Sequence, residues 1–211
     1  MRKMKNVLKL MVIVPALFLL FSCNPLEDDS KSDSLLFVVK IVGTDVEDSE
    51  ANFLESDVVD VDTNGNASYA DDAAVVTFTA KTLDPYPLFE DTSVYSNIFV
   101  ERYVVSYYRS DGKTLEGVDV PYAFEGAMSA LVEVDAEQMV SFIIVRAIAK
   151  LEPPLVDLSQ GRGEGQLNVT AKIDFYGKDT LGNAVKATGY LSIFFADYAE
   201  QEAPTPEGGG S

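Results

Sequence analysis

The chain has 211 residues, with 34 acidic against 16 basic side chains, no histidine, no tryptophan and one cysteine. Without histidine there is no imidazole acid–base catalysis, no histidine-ligated zinc and no ordinary haem ligation; with one cysteine there is no disulfide within the chain and no cysteine-rich metal site. An apolar fraction of 47% is enough for one folded core, and the acidic excess argues against nucleic acid as a partner.

Arg2, Lys3, Lys5 and Lys9 make a basic start, and residues 10–21 are an apolar run too short to span a bilayer, which takes roughly 20 such residues. The length and flanks are those of a secretory signal peptide. Leu20-Phe21-Ser22-Cys23 then resembles the lipobox of bacterial lipoproteins. The resemblance implies that residues 1–22 are removed and that Cys23 becomes the first residue, carrying fatty acyl chains such as palmitate. A plain signal peptide or an anchor helix is the other reading. Asn24 stands where some bacteria use an aspartate to retain lipoproteins in the inner membrane, which favours the outer membrane, on its periplasmic or surface side. The 189 residues from Cys23 onward carry 12 basic against 34 acidic side chains, a formal charge of −22.

Residues 23–34 are polar and acidic and read as a tether. The folded domain is expected over residues 35–199, followed by a disordered tail at 200–211 that has nothing to bury. Between the tails, short β-rich runs are broken by Gly, Pro, Asn and Asp. Strands are expected near residues 35–42, 56–61, 73–83, 98–109, 128–134, 139–150, 166–176 and 184–197. In the third, Val76, Phe78 and Ala80 share one face and Thr77, Thr79 and Lys81 the other. The run at 139–150 is apolar on both faces, as expected of a central strand covered on two sides. Asp135 to Gln138 has the spacing of one capped helical turn, and no long helical period occurs. About eight strands without helices predict an all-β, immunoglobulin-like β-sandwich, although the Cys–Trp–Cys core of antibody domains is missing; a small β-barrel is the alternative.

The last two strands are specific enough to set a register. Leu167, Val169, Ala171, Ile173 and Phe175 form one apolar face, and Val185, Ala187, Gly189, Leu191, Ile193 and Phe195 the matching one. Odd residues must then face odd ones. Phe175 opposite Val185 places Asp174 opposite Lys186 and leaves residues 178–182 as a loop, with Gly182 free to take a positive φ. The competing register, shifted by two, puts Lys172 opposite Tyr190.

Residues 103–112 (YVVSYYRSDG), 118–124 (VDVPYAF) and 189–198 (GYLSIFFADY) resemble segments of uncharacterised small envelope lipoproteins of environmental, often metal-respiring, Gram-negative bacteria. That resemblance carries no assigned activity.

The sharpest local motif runs from Asp60 to Asp71. It follows the calcium-loop pattern over six positions, with Asp60, Asp62 and Asn64 as oxygen donors, Gly65 at the turn, Asn66 through its carbonyl and Asp71 at the closing position. Asn64-Gly65 is equally a hairpin turn signal, so a calcium site and a plain turn both stay open. Tyr176 and Tyr190 fall on the polar faces of their strands and form a candidate binding patch for protein or glycan, with cross-strand aromatic pairing as the other reading. No pair of carboxylates stands out as catalytic among so many. The sequence therefore favours a non-enzymatic, lipid-anchored module of the cell envelope, held to the membrane by its lipid and binding another envelope protein. A calcium-dependent adhesion or assembly module and a carboxylate-based hydrolase are the alternatives.

Overall fold

The computed structural model describes residues 32–45, 49–62, 64–83, 96–162 and 165–198. The expected signal peptide 1–22, Cys23, the expected tether up to residue 31 and the expected tail 200–211 lie outside these described residues. The strands are β1 (Ser34–Thr44), β2 (Glu50–Ala51), β3 (Phe53–Asp57), β4 (Asp60–Val61), β5 (Ala67–Ser68), β6 (Asp72–Thr82), β7 (Ile98–Tyr108), β8 (Phe124–Val132), β9 (Glu137–Val145), β10 (Gln166–Asp179) and β11 (Ala184–Ala196). Two short helices, α1 (Ala147–Lys150) and α2 (Leu155–Ser159), lie between β9 and β10. The two-residue strands are accessory, and the other eight build a β-sandwich.

One sheet has the order β2-β1-β6-β9 and the other β3-β11-β10-β7-β8. The chain changes sheets near Asn52: β2 pairs antiparallel with β1, and β3, two residues on, pairs parallel with β11. The two sheets stay separate, so the barrel alternative fails. The strand order is immunoglobulin-like: β6 and β9 take the B and E positions, and β11, β10, β7 and β8 take G, F, C and C′.

Period-2 alternation drives the packing. On β10, Leu167, Val169, Ala171, Ile173 and Phe175 are buried, and on β6 so are Val76, Phe78 and Ala80. Where antibody domains join B and F by a disulfide, Phe78 meets Phe175 edge-on at 4.8 Å between ring centroids. Phe142 of β9 adds a third ring 5.5 Å from Phe175, and Tyr103 of β7 lies 5.1 Å from Phe142. Each buried aromatic contributes roughly 1.5–3 kcal/mol through burial, and such edge-to-face pairs add about 0.5–1.5 kcal/mol. The hydroxyl of Tyr107 crosses the sandwich to donate to the Ile144 carbonyl at 2.7 Å, and burial raises its pKa. Gly189 lets β1 come close to β11, since a Cβ there would sit 2.5 Å from Ile41 Cδ1.

Four expectations are corrected. First, β10 and β11 pair with Ile173 opposite Gly189, Phe175 opposite Ala187 and Lys172 opposite Tyr190, the register shifted by two from the expected one. The Asp174–Lys186 pair forms all the same, at 3.1 Å, because a lysine reaches diagonally to the next pair. The chain reversal is set by Asp179, whose carboxylate accepts the Leu181 and Asn183 amides at 3.0 and 2.8 Å. The faces are as expected: Ile173, Leu191 and Ile193 are core, Tyr190 points out, and Gly182 has a φ of +92°.

Second, β9 is an edge strand with an uncovered outer face, and the run 139–150 breaks after Val145 into α1. An apolar run on both faces therefore does not mean a covered strand here. Third, Asp135 to Gln138 is no helical turn. Asp135 has a φ of +62° and its amide donates to the Ala80 carbonyl at 3.0 Å, so it makes the reversal from β8 to β9. Fourth, the last tether residues are part of the domain: Ser32 and Ser34 are buried, and β1 begins at Ser34.

Candidate binding face

The outward side of β7, β10 and β11 is a cross-linked polar surface. Asp174 stands at its centre, with its side chain 13% exposed. Thr188 donates to Asp174 Oδ1 at 2.6 Å, while Lys172 and Lys186 reach Oδ2 at 3.0 and 3.1 Å. Burial pushes the Asp174 carboxyl up, but the hydrogen bonds from Thr188, Lys172 and Lys186 outweigh it and hold the group below the usual carboxylate range. Hydrogen bonding to Asp174 raises both lysines in turn. Ordering these long side chains costs conformational entropy, which the charge-assisted bonds to Asp174 offset.

Tyr176 and Tyr190 belong to this face but do not form one patch. Tyr176 is level with Lys186 and Tyr190 with Lys172, so they stand four residues apart along the strands, roughly 13 Å at the usual ~3.3 Å rise. Tyr176 is half-buried. The Arg102 guanidinium lies 4.0 Å from its ring centroid and Lys186 Nζ 5.2 Å, and Arg102 also pairs with Glu125 at 3.5 Å. Tyr176 is thus held within the molecule by cation–π contact. Tyr190 is 61% exposed. Its companion on this face is Tyr108 of β7, which is exposed one row away, level with Thr170. Two open tyrosine rings therefore flank Lys172, on strands paired along their length.

The residues of the calcium pattern do not converge. Asp60 and Asn66 flank a hairpin in which β4 pairs with β5, and Asp62 holds its turn. Asp62 Oδ1 accepts the Asn64 and Asn66 amides, both at 2.8 Å, Oδ2 accepts Asn66 Nδ2 at 2.8 Å, and Gly65 takes a φ of +82°. These bonds, led by the Asn66 side chain, lower the Asp62 pKa to about 2. Asp60 accepts from Ser68 Oγ at 3.3 Å. Asp71 turns away and accepts the Ala147 amide at 2.6 Å. Among the described residues no three Asp, Glu, His or Cys side chains are placed to hold a metal ion. Asp60, Asp62, Asn64, Asn66 and Asp71 therefore do not fit a calcium cage; the local hydrogen bonds of an Asx turn use the oxygens the ion needs.

One polar group was not legible in the sequence. Lys150 of α1 is 3% exposed and bonds Asp72 at 2.9 Å, while Ser56 Oγ donates to the other Asp72 oxygen at 2.6 Å. Burial raises the Asp72 carboxyl despite Lys150 beside it. The partners lie 16 and 78 residues away in sequence, so no local spacing marks them. Packed into the end of the sandwich, this triad fastens α1 to β3 and β6. No protein-family model matches the chain, and no curated protein matches it either.

Proposed function

We propose that this protein is a lipid-anchored, non-enzymatic binding module of the Gram-negative cell envelope, held at the outer membrane through Cys23 and contacting another envelope protein with the outward face of its five-stranded sheet. One observation carries the binding assignment: Tyr108 and Tyr190 stand exposed on either side of Lys172 on a hydrogen-bonded sheet. Tyrosine on a rigid strand offers large contact area at low entropic cost, which is why it is enriched at protein interfaces. The anchor is supported by the lipobox and by the tether that follows it. A module of this kind needs no cofactor and works through its surface.

Site-specific photo-crosslinking in intact cells tests the reading. A photoreactive residue at Tyr190 is expected to capture one defined envelope protein, and the same residue at exposed Leu181, in the β10–β11 turn, is not. Tyr108→Ala and Lys172→Ala, each added to the Tyr190 probe, are expected to reduce that capture. Equal products from both probe sites, or capture indifferent to Tyr108 and Lys172, reject this face.

A further inference from the structure

The buried group at the end of the sandwich holds two chemically complementary partners. Lys150 Nζ lies 2.9 Å from Asp72 Oδ1, with both side chains largely buried. Ser56, wholly buried, donates from Oγ to Asp72 Oδ2 at 2.6 Å. The backbone beside the pair is fastened as well. Asp71 accepts the Ala147 amide at 2.6 Å, so the start of β6 is tied to α1 through two successive residues. An amine and a carboxyl are thus held in contact, away from water, by bonds on either side.

We propose that Lys150 and Asp72 form a covalent amide, an isopeptide bond from Nζ to Cγ, made by the folded chain on itself. The ion pair and the product contain the same atoms apart from one water released. Asp72 Oδ1 takes a proton from the Lys150 ammonium across the 2.9 Å contact, which leaves a neutral amine beside a carboxylic acid. The Nζ lone pair then attacks Cγ. The Nζ–Cγ bond forms, and the charge that develops on Oδ2 is met by the Ser56 hydroxyl. The Cγ–Oδ1 bond breaks, and Oδ1 leaves as water with a second proton from Nζ. The amide keeps the third proton. No oxidant, reductant or further reactant is needed, and two buried charges disappear.

Three features favour this step over a lasting ion pair. Taking charges out of water is costly, and the neutral amide lifts that cost. Burial raises the Asp72 carboxyl, against the pull of Lys150 and Ser56 and with a smaller push from the Asp71 charge. That favours the protonated form, which an amine attacks. Holding two reactants in place also replaces a bimolecular encounter, an advantage worth roughly 10⁵–10⁸ M in effective concentration for well-aligned groups. The network on the outward face differs: Lys172 and Lys186 are more exposed and Asp174 is held below the usual carboxylate range, so those groups keep their charges. The bond closes a span of 78 residues and makes the attachment of α1 to β6 permanent.

Peptide mapping of the full chain by mass spectrometry decides. Trypsin cuts after Lys40, Lys81, Arg146 and Arg162, but not after a lysine whose Nζ is an amide. The expected product is residues 41–81 joined to residues 147–162, lighter than the two together by one water. Fragmentation of that product is expected to place the link at Asp72 and Lys150. On a denaturing gel after boiling, the parent is expected to run ahead of Lys150→Arg, because the linked chain is more compact. That variant keeps the cation but offers no amine. Cleavage after Lys150, giving free peptides 147–150 and 151–162, with parent and variant migrating together, leaves an ion pair only and overturns the proposal. Water lost only at Asp111-Gly112, as a cyclic imide, also overturns it. The bond does not depend on Cys23, so a failed anchor leaves this result untouched.

Discussion

On the outward side of β10 and β11, polar residues alternate with the core and are tied to their neighbours: Thr188, Lys172 and Lys186 to Asp174, and Arg102 and Lys186 to Tyr176. On the outward side of β1, β6 and β9, Phe37, Val39 and Met139 stand in the open. Both sheets bury the same kind of inner face, so the core does not require this difference. Exposed apolar side chains are not confined to that side, since Phe99 and Leu131 face each other in the open on β7 and β8; what sets β10 and β11 apart is the carboxylate holding two lysines. The contrast is between outward side chains tied into one network on β10 and β11 and outward apolar side chains that stand exposed on β1 and β9.

Substitutions sharpen the comparison, beginning with what the two sheets share. Phe175→Ala removes the ring between Phe78, Phe142 and Tyr103 and is expected to cost about 3–5 kcal/mol in urea denaturation. A loss well below 1 kcal/mol would mean that the aromatic cluster does not join the sheets. Lys150→Ala leaves Asp72 buried without its cation and is expected to cost about 3–5 kcal/mol. Lys150→Met, which keeps the apolar stem but not the charge, separates lost packing from lost pairing.

Asp174→Asn tests the polar face alone. Weaker bonds to Thr188 and the lysines are expected to cost on the order of 1 kcal/mol near neutral pH. The folded-state pKa of Asp174 is lowered, so its contribution is fully present above the unfolded value of 3.8 and fades as pH falls through the folded one. Parent and variant should converge in acid, and a constant gap across that range would refute the network. On the apolar face, Phe37→Ala in the unacylated chain is expected to change stability by less than about 0.5 kcal/mol, as at an exposed site. A larger loss would show that Phe37 belongs to the core and is not a contact held in reserve.

The Asp62 turn gives the smallest effect and a clear pH signature. Its pKa is lowered to about 2, so its stabilisation is complete above 3.8 and lost as pH falls towards 2. The difference in urea midpoint between parent and Asp62→Ala should vanish over that window. Millimolar calcium should leave it unchanged, and a calcium-dependent rise in the parent would restore the ion-site reading.

Much of the fold was legible because alternation is written locally. The buried faces of β6, β10 and β11 follow from their own residues, and Asn64-Gly65 announces its turn. What failed depended on distant partners. Placing Asp174 opposite Lys186 does not single out one β10–β11 register, because a diagonal lysine satisfies that pair in the shifted register as well. The Asp179 turn decided the outcome. The double apolar face of β9 implied two covers, and its outer residues are instead exposed at a sheet edge. Tyr176 and Tyr190 were equivalent in sequence, and only the sheet shows Arg102 over one ring and open space at the other. Tyr108 was visible as one of three clustered tyrosines, but its place beside Lys172 depends on β7 pairing with β10.

The proposed function turns on the anchor at Cys23. Mass spectrometry of the N-terminal peptide from purified envelopes is the most direct measurement. The account predicts a mature chain beginning at Cys23, with that residue carrying acyl chains. A chain that begins elsewhere, or an unmodified Cys23, contradicts it.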